Sequence, residues 1–155
     1  MLLENIKTKG TLTLILTDEF GNVKQQAEEN LVVSTGLAYI ASRMKDTTLA
    51  ATSYMAIGTG TVAAAAGNTA LGAESARVAL TSVTLVTTTV TNDAIQHIAT
   101  FGTGVGTAAI TEAALYAGTA SGTPGSGTLV ARTVFPVINK GALDTLTITW
   151  KITIA

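Results

Sequence analysis

The stretch LTITWKITI, residues 146–154, decides the fold class. Leu146, Ile148, Trp150, Ile152 and Ile154 alternate with Thr147, Thr149, Lys151 and Thr153. A period of two sends one row of side chains into a core and the other to a surface, so this is a half-buried strand of an antiparallel sheet. Upstream, Leu129 to Phe135 reads as a further strand. Pro136 has no N–H for a ladder and is expected to end that strand or mark an edge. Ala109 to Tyr116, Thr88 to Ile98 and Arg77 to Val86 are strands by the same reading, with Ile95, His97, Ala99 and Phe101 on one face. YMAIGTGT (54–61) is a short strand running into glycine turns, and FGTGVGT (101–107) is a glycine turn. VAAAAGNTALGAES (62–75) is a structured loop, because Gly67 and Gly72 break its alanine run. Loops of that length commonly make contacts. GTASGTPGSGT (118–128) is a flexible loop by composition.

The N-terminal part adds a hairpin and a helix. Leu12, Leu14 and Leu16 alternate within TLTLILTD (11–18), residues 18–22 supply turn chemistry, and Val23 to Val33 returns as a second strand. Its middle, KQQAEEN (24–30), is the most polar stretch of the chain. Lys24, Gln25, Gln26, Glu28 and Glu29 are therefore expected to face solvent or a partner chain. Ser34 or Thr35 is placed to cap a short helix over 35–45, with Leu37, Ile40, Ala41 and Met44 as its apolar stripe. Seven or eight short strands separated by turns predict a mainly β protein, an antiparallel β-sandwich or barrel-like domain with one short helix. Residues 1–33 are expected to form a hairpin arm and residues 34–155 the sandwich, as one structural unit.

Composition excludes several function classes. The chain has 155 residues, no cysteine, a net charge of −1 and 12% charged residues, against about 25% in ordinary soluble domains. Without cysteine, stability must come from packing or from assembly. So few charges argue against nucleic-acid binding and against electrostatic attachment to a membrane. Mean hydropathy is +0.45, yet no apolar run approaches the roughly 18 residues of a membrane span. Glu4 and Asn5 stand where a signal peptide needs apolar residues, so synthesis in the cytoplasm is expected. A positive hydropathy with few charges suits a surface buried against neighbouring subunits.

Candidate chemistry is sparse. His97 is the sole histidine and shares a face with Ile95 and Phe101, which reads as a core or rim residue. One histidine without cysteine does not make a zinc site. Asp18, Asp46, Asp93 and Asp144 are too scattered for a calcium loop. Gly102, Gly104 and Gly106 lack the third glycine of a dinucleotide fingerprint, because Thr107 occupies it. Those glycines, with Gly58 and Gly60, read as tight turns with positive φ. No catalytic residue, cofactor or metal site is expected. Two charges interrupt apolar strands, Glu112 and Arg132. Either each points to solvent, or Glu112 pairs with Arg132 or Arg77 to fix strand register or bridge subunits. A sugar-binding alternative would rest on exposed aromatics, for which Tyr39, Tyr54 and Tyr116 are the candidates.

The order of landmarks carries a resemblance. NLVVSTGLAYIASRM (30–44), YMAIGTGT (54–61), TALGAESARVAL (69–80), AITEAALYAG (109–118) and LVARTVFPVINKGALDTLTITWKITI (129–154) resemble a family of small virion proteins of tailed bacteriophages and prophages. The helix followed by M-A-x-G-x-G is similar to the opening of tail-collar fibre proteins. The resemblance implies a non-enzymatic particle component that assembles with itself, as a trimer or ring, and with other virion proteins. It implies a collar, neck or tail module for fibre attachment, or alternatively a decoration protein on the capsid. Fibre proteins continue into long shafts, which leaves a receptor-binding role without support from this chain.

Overall fold

A computed structural model describes residues 6–45 and 49–154. Among these residues nine strands and one helix follow in order: β1 (Thr8–Thr17), β2 (Val23–Val32), α1 (Ser34–Lys45), β3 (Tyr54–Gly58), β4 (Glu74–Ala79), β5 (Ser82–Val86), β6 (Ala94–Phe101), β7 (Ala108–Ala117), β8 (Thr128–Lys140) and β9 (Thr145–Ile154). They form one antiparallel sheet in the order β4-β3-β7-β8-β2-β1-β9-β6-β5. The expected mainly β, barrel-like architecture is the one observed. The N-terminal hairpin is built into the middle of that order, with β1 paired to β9 along its whole length.

The sheet curls because its two ends are neighbours in sequence. Only Leu80 and Thr81 separate β4 from β5, yet these strands stand at opposite ends of the order. The Leu80 N–H donates to the Ser53 carbonyl (2.9 Å) beside β3, and the next N–H, of Thr81, donates to Ile98 (2.8 Å) in β6. The run Arg77–Val86, expected as one strand, is thus two, handed from one end of the sheet to the other. The result is a half-barrel around one core. Leu12 and Leu14 from β1, Ile148 and Trp150 from β9, Phe101 from β6, and Met55 and Leu115 from the far half are wholly buried in it. Each such side chain contributes about 1.5–3 kcal/mol on removal from water. β9 alternates buried and half-buried residues as its sequence dictates, until Ile154 emerges into solvent.

Two expectations fail for reasons local to β8. This strand does not end at Pro136 but runs straight through it; β8 lies between β7 and β2, although at Pro136 its β2-side edge is unpaired. Its ladder with β2 covers only Leu31 and Val32, and its register with β7 jumps from Val134↔Glu112 to Ile138↔Ile110. Pro136 lies inside that bulge, with no ladder bond for its missing N–H to forfeit. The helix face also differs. Leu37 is half exposed and Met44 almost fully exposed, while Gly36 and Tyr39 are buried and Ile40 packs on the core. Gly36 sets this face: a Cβ there would sit 2.0 Å from the Val130 carbonyl oxygen, so α1 lies directly on the β8 backbone. The Val33 carbonyl accepts the first helical bond, from Leu37, and the Thr35 hydroxyl donates to Leu129 rather than capping.

Candidate functional site

On the convex side of β3, β7 and β8 the sheet is covered by the 59–73 loop. A second cluster of buried side chains lies there, including Val33, Leu71, Ala114, Tyr116 and Leu129. β7 is consequently buried on both faces from Glu112 onward. The centre of this layer is an ion pair. Glu112 and Arg132 are diagonal neighbours on adjacent strands, 0% and 2% exposed, with Arg132 Nη2 and Nε donating to Glu112 Oε2 at 2.8 and 3.1 Å. Neither charge points to solvent.

The pair is also a loop clamp. Glu112 Oε1 accepts the N–H groups of Gly60 (3.0 Å) and Ala73 (2.7 Å), and Oε2 accepts that of Gly72 (3.0 Å). Arg132 donates to the Val62 carbonyl (2.9 Å) and the Asn68 Oδ1 (2.8 Å). Both ends of the loop and its middle are thus tied to two side chains. Gly58 and Gly60 do not adopt positive φ, as Gly104 and Gly106 do. They are glycines because a Cβ would lie 2.7 and 2.4 Å from Glu112 Oε1. Burial pushes the Glu112 pKa up, but the N–H groups of Ala73 and Gly72, the Arg132 guanidinium and the Gly60 N–H together hold it below the ordinary glutamate value. A carboxylate so saturated with donors has no lone pair directed at a substrate; it is a fastening.

Arg77 does not join this pair. Its guanidinium binds Glu74 bidentately (2.8 and 2.9 Å), donates to the Ser126 carbonyl (2.7 Å) and stacks on the Tyr116 ring at 4.1 Å. Ser126 in turn bonds Ser121 and Thr123, so the 118–128 stretch expected to be flexible is held by a knot of hydrogen bonds at its centre. His97 is 2% exposed; its Nδ1 lies 3.2 Å from the Trp150 carbonyl and its Nε2 2.8 Å from the Thr52 hydroxyl. A carbonyl only accepts, so Nδ1 carries the proton and Nε2 accepts. Burial pushes the His97 pKa down to about 4.

Of the residues expected to meet a partner, Lys24, Gln25 and Glu29 are exposed on β2, and Glu29 forms a surface ion pair with Lys9 (3.2 Å). Gln26 and Glu28 are half-buried and bonded to one another, with Gln26 also reaching the Pro136 carbonyl (3.3 Å). They line the opening where β2 and β8 diverge. The tyrosines of the sugar-binding alternative are not exposed platforms: Tyr39 and Tyr116 are buried and Tyr54 is half-buried. Comparison with protein-family models, with curated proteins and with solved structures yields no match. Asp18, Asp93 and Asp144 each close their own turn, and Asp46 lies outside the described residues. Among the described residues no three acidic or histidine side chains converge as a metal site.

Sequence reading missed Lys140, which is 2% exposed and donates to the carbonyls of Gly102 (2.9 Å) and Asp144 (2.7 Å). It binds the β6–β7 and β8–β9 turns together. Its signal was a lysine ending a strand immediately before a Gly-containing turn.

Proposed function

We propose that this chain is a non-enzymatic structural component of a tailed-phage virion, assembling as an oligomer at the collar, neck or tail as a fibre-attachment or accessory module. The observation that carries the reading is a set of exposed apolar side chains at one end of the half-barrel. The β6–β7 and β8–β9 turns are joined there by the Gly104 N–H to Ala142 bond (2.7 Å), and the β1–β2 turn stands at the same end because Thr17 pairs with Thr145. They and the adjoining strand ends present Phe20 (82% exposed), Val23, Val137 and Leu143 to solvent. Apolar side chains gathered at one end of a domain are the usual mark of a protein contact. The buried Glu112, Arg132 and Lys140 are meanwhile spent on holding loops. The resemblance to small virion proteins supplies the particle.

The test is quantitative mass spectrometry of particles made by the host strain, with wild-type chain and the Phe20→Ser, Leu143→Ser double variant. The reading expects about a dozen to a few tens of wild-type copies per particle, as ring symmetry at the tail requires. It expects the folded variant to be lost from particles. Hundreds of copies would move the chain to the capsid surface, as a decoration protein. Absence of the wild-type chain from particles would overturn the proposal.

A further inference from the structure

Among the described residues the sheet order ends in β4 and β5, and β2 and β8 part along most of their length; of the edges these four strands leave open, three are guarded. Beyond Asn30, β2 pairs with β8 only at Leu31 and Val32, and its open stretch carries Lys24, Glu28 and Glu29. The facing edge of β8 carries Pro136 and a bulge. β4, at one end of the order, carries Glu74 and Arg77. Charges, proline and bulges are the devices that keep edges from pairing with other chains. β5, at the other end, has none of them. Its sequence is SVTLV, and from Val78 to Asn92 no side chain is charged.

The direction of the free backbone groups follows from the ladder. The Ile154 N–H donates to the Asp93 carbonyl (2.9 Å), one step beyond the Ala94↔Thr153 pair. Odd-numbered residues of β6 therefore bond β9, and even-numbered ones bond β5. Since Ser82, Thr84 and Val86 oppose Ile98, Gln96 and Ala94, they face β6. Val83 and Leu85 direct their N–H and C=O groups away from the sheet. The side chains of the same two residues share the face of His97 and Ile95, yet are 45% and 60% exposed. The concave face runs out of cover at this strand.

We propose that a second copy of this chain adds to the free edge of β5, antiparallel, about a two-fold axis through Thr84. In that register Val83 of each copy opposes Leu85 of the other, and these pairs exchange about four hydrogen bonds. Thr84 meets its own counterpart in a non-bonded pair. The occupant is a second copy because the edge asks for no complementary charge and its own five residues satisfy every group it leaves open. This isologous pairing makes one continuous sheet across the axis. It deepens the assembly reading above by naming the surface, and it is tested on the isolated chain.

The test uses the full chain. Sedimentation equilibrium across micromolar to submillimolar concentration is expected to show a monomer–dimer equilibrium, with Leu85→Lys weakening it at least tenfold. The chain has no cysteine, so single-cysteine variants report contacts cleanly. A non-bonded antiparallel pair has Cα atoms about 4.5 Å apart, within disulfide reach. Oxidised Thr84→Cys is expected to give a covalent dimer, whereas Ala27→Cys, exposed on β2, is not. Circular dichroism checks the fold of each variant, and if Leu85→Lys unfolds, the exposed Thr84 substitution decides alone. A monomer at all concentrations, or Thr84→Cys crosslinking no faster than Ala27→Cys, overturns the proposal. A dimer that persists in folded Leu85→Lys and does not crosslink through Thr84 sinks it too, while leaving assembly through another surface standing.

Discussion

Replacing Glu112 by alanine tests the clamp. The substitution leaves Arg132 buried at 2% exposure without its counter-charge and strips acceptors from the N–H groups of Gly60, Gly72 and Ala73. Removing one member of a buried pair costs about 3–5 kcal/mol. Each backbone N–H that stays dry adds up to about 1–3 kcal/mol, but an opened loop admits water to those groups, so the total belongs near the upper end of the first range. For a domain of this size each kcal/mol is about 2–4 °C in Tm, and the expected drop is about 10 °C or more. Urea unfolding gives the free energy, and hydrogen exchange at Gly60, Gly72 and Ala73 locates it. The decisive variant is the double substitution Glu112→Leu, Arg132→Met. For a plain buried ion pair, an apolar replacement of similar volume is often neutral or stabilising. Here it is expected to remain at least about 2 kcal/mol below wild type, because three N–H groups and the Val62 carbonyl still lose partners. A double variant as stable as wild type, with unchanged exchange in the loop, would refute the clamp.

Two further predictions concern the core and the helix. His97 has its folded pKa depressed from 6.5 to about 4, so the unfolded chain binds the extra proton between those values. Stability is full above pH 6.5 and falls by about 3 kcal/mol as pH drops to about 4; His97→Gln is expected to flatten that slope above pH 5 in denaturation curves taken at several pH values. Below about 4.5 the depressed Glu112 pKa has the same sign, adding a loss that His97→Gln retains. On α1, Leu37→Gln and Met44→Gln are expected to change stability by under about 0.5 kcal/mol, whereas Tyr39→Ala costs about 3 kcal/mol or more. Thermal melts that reversed this ranking would restore the helix face expected from periodicity.

The strands were legible in the residues themselves. Alternation in 146–154 and 11–18 is a property of neighbours two apart, and it predicts burial wherever one face is covered and the other wet. The turn of residues 18–22 is equally local: Asp18 accepts from Phe20 and Asn22, and Gly21 supplies the positive φ. Glu112 and Arg132 were legible as anomalies, charges in apolar strands, but their spacing along the chain could not say whether Glu112 met Arg132 or Arg77. Only the register of β7 on β8 decides that. Tertiary structure likewise decided why Gly36, Gly58 and Gly60 are glycines, because each leaves room for an atom remote in sequence. It made Pro136 harmless by placing it in a bulge, and it split Arg77–Val86 between the two ends of the sheet. Pattern reports how a residue relates to its immediate neighbours; pairing partners, close approaches and loop anchors depend on segments tens of residues away, and they exist only once the sheet has curled.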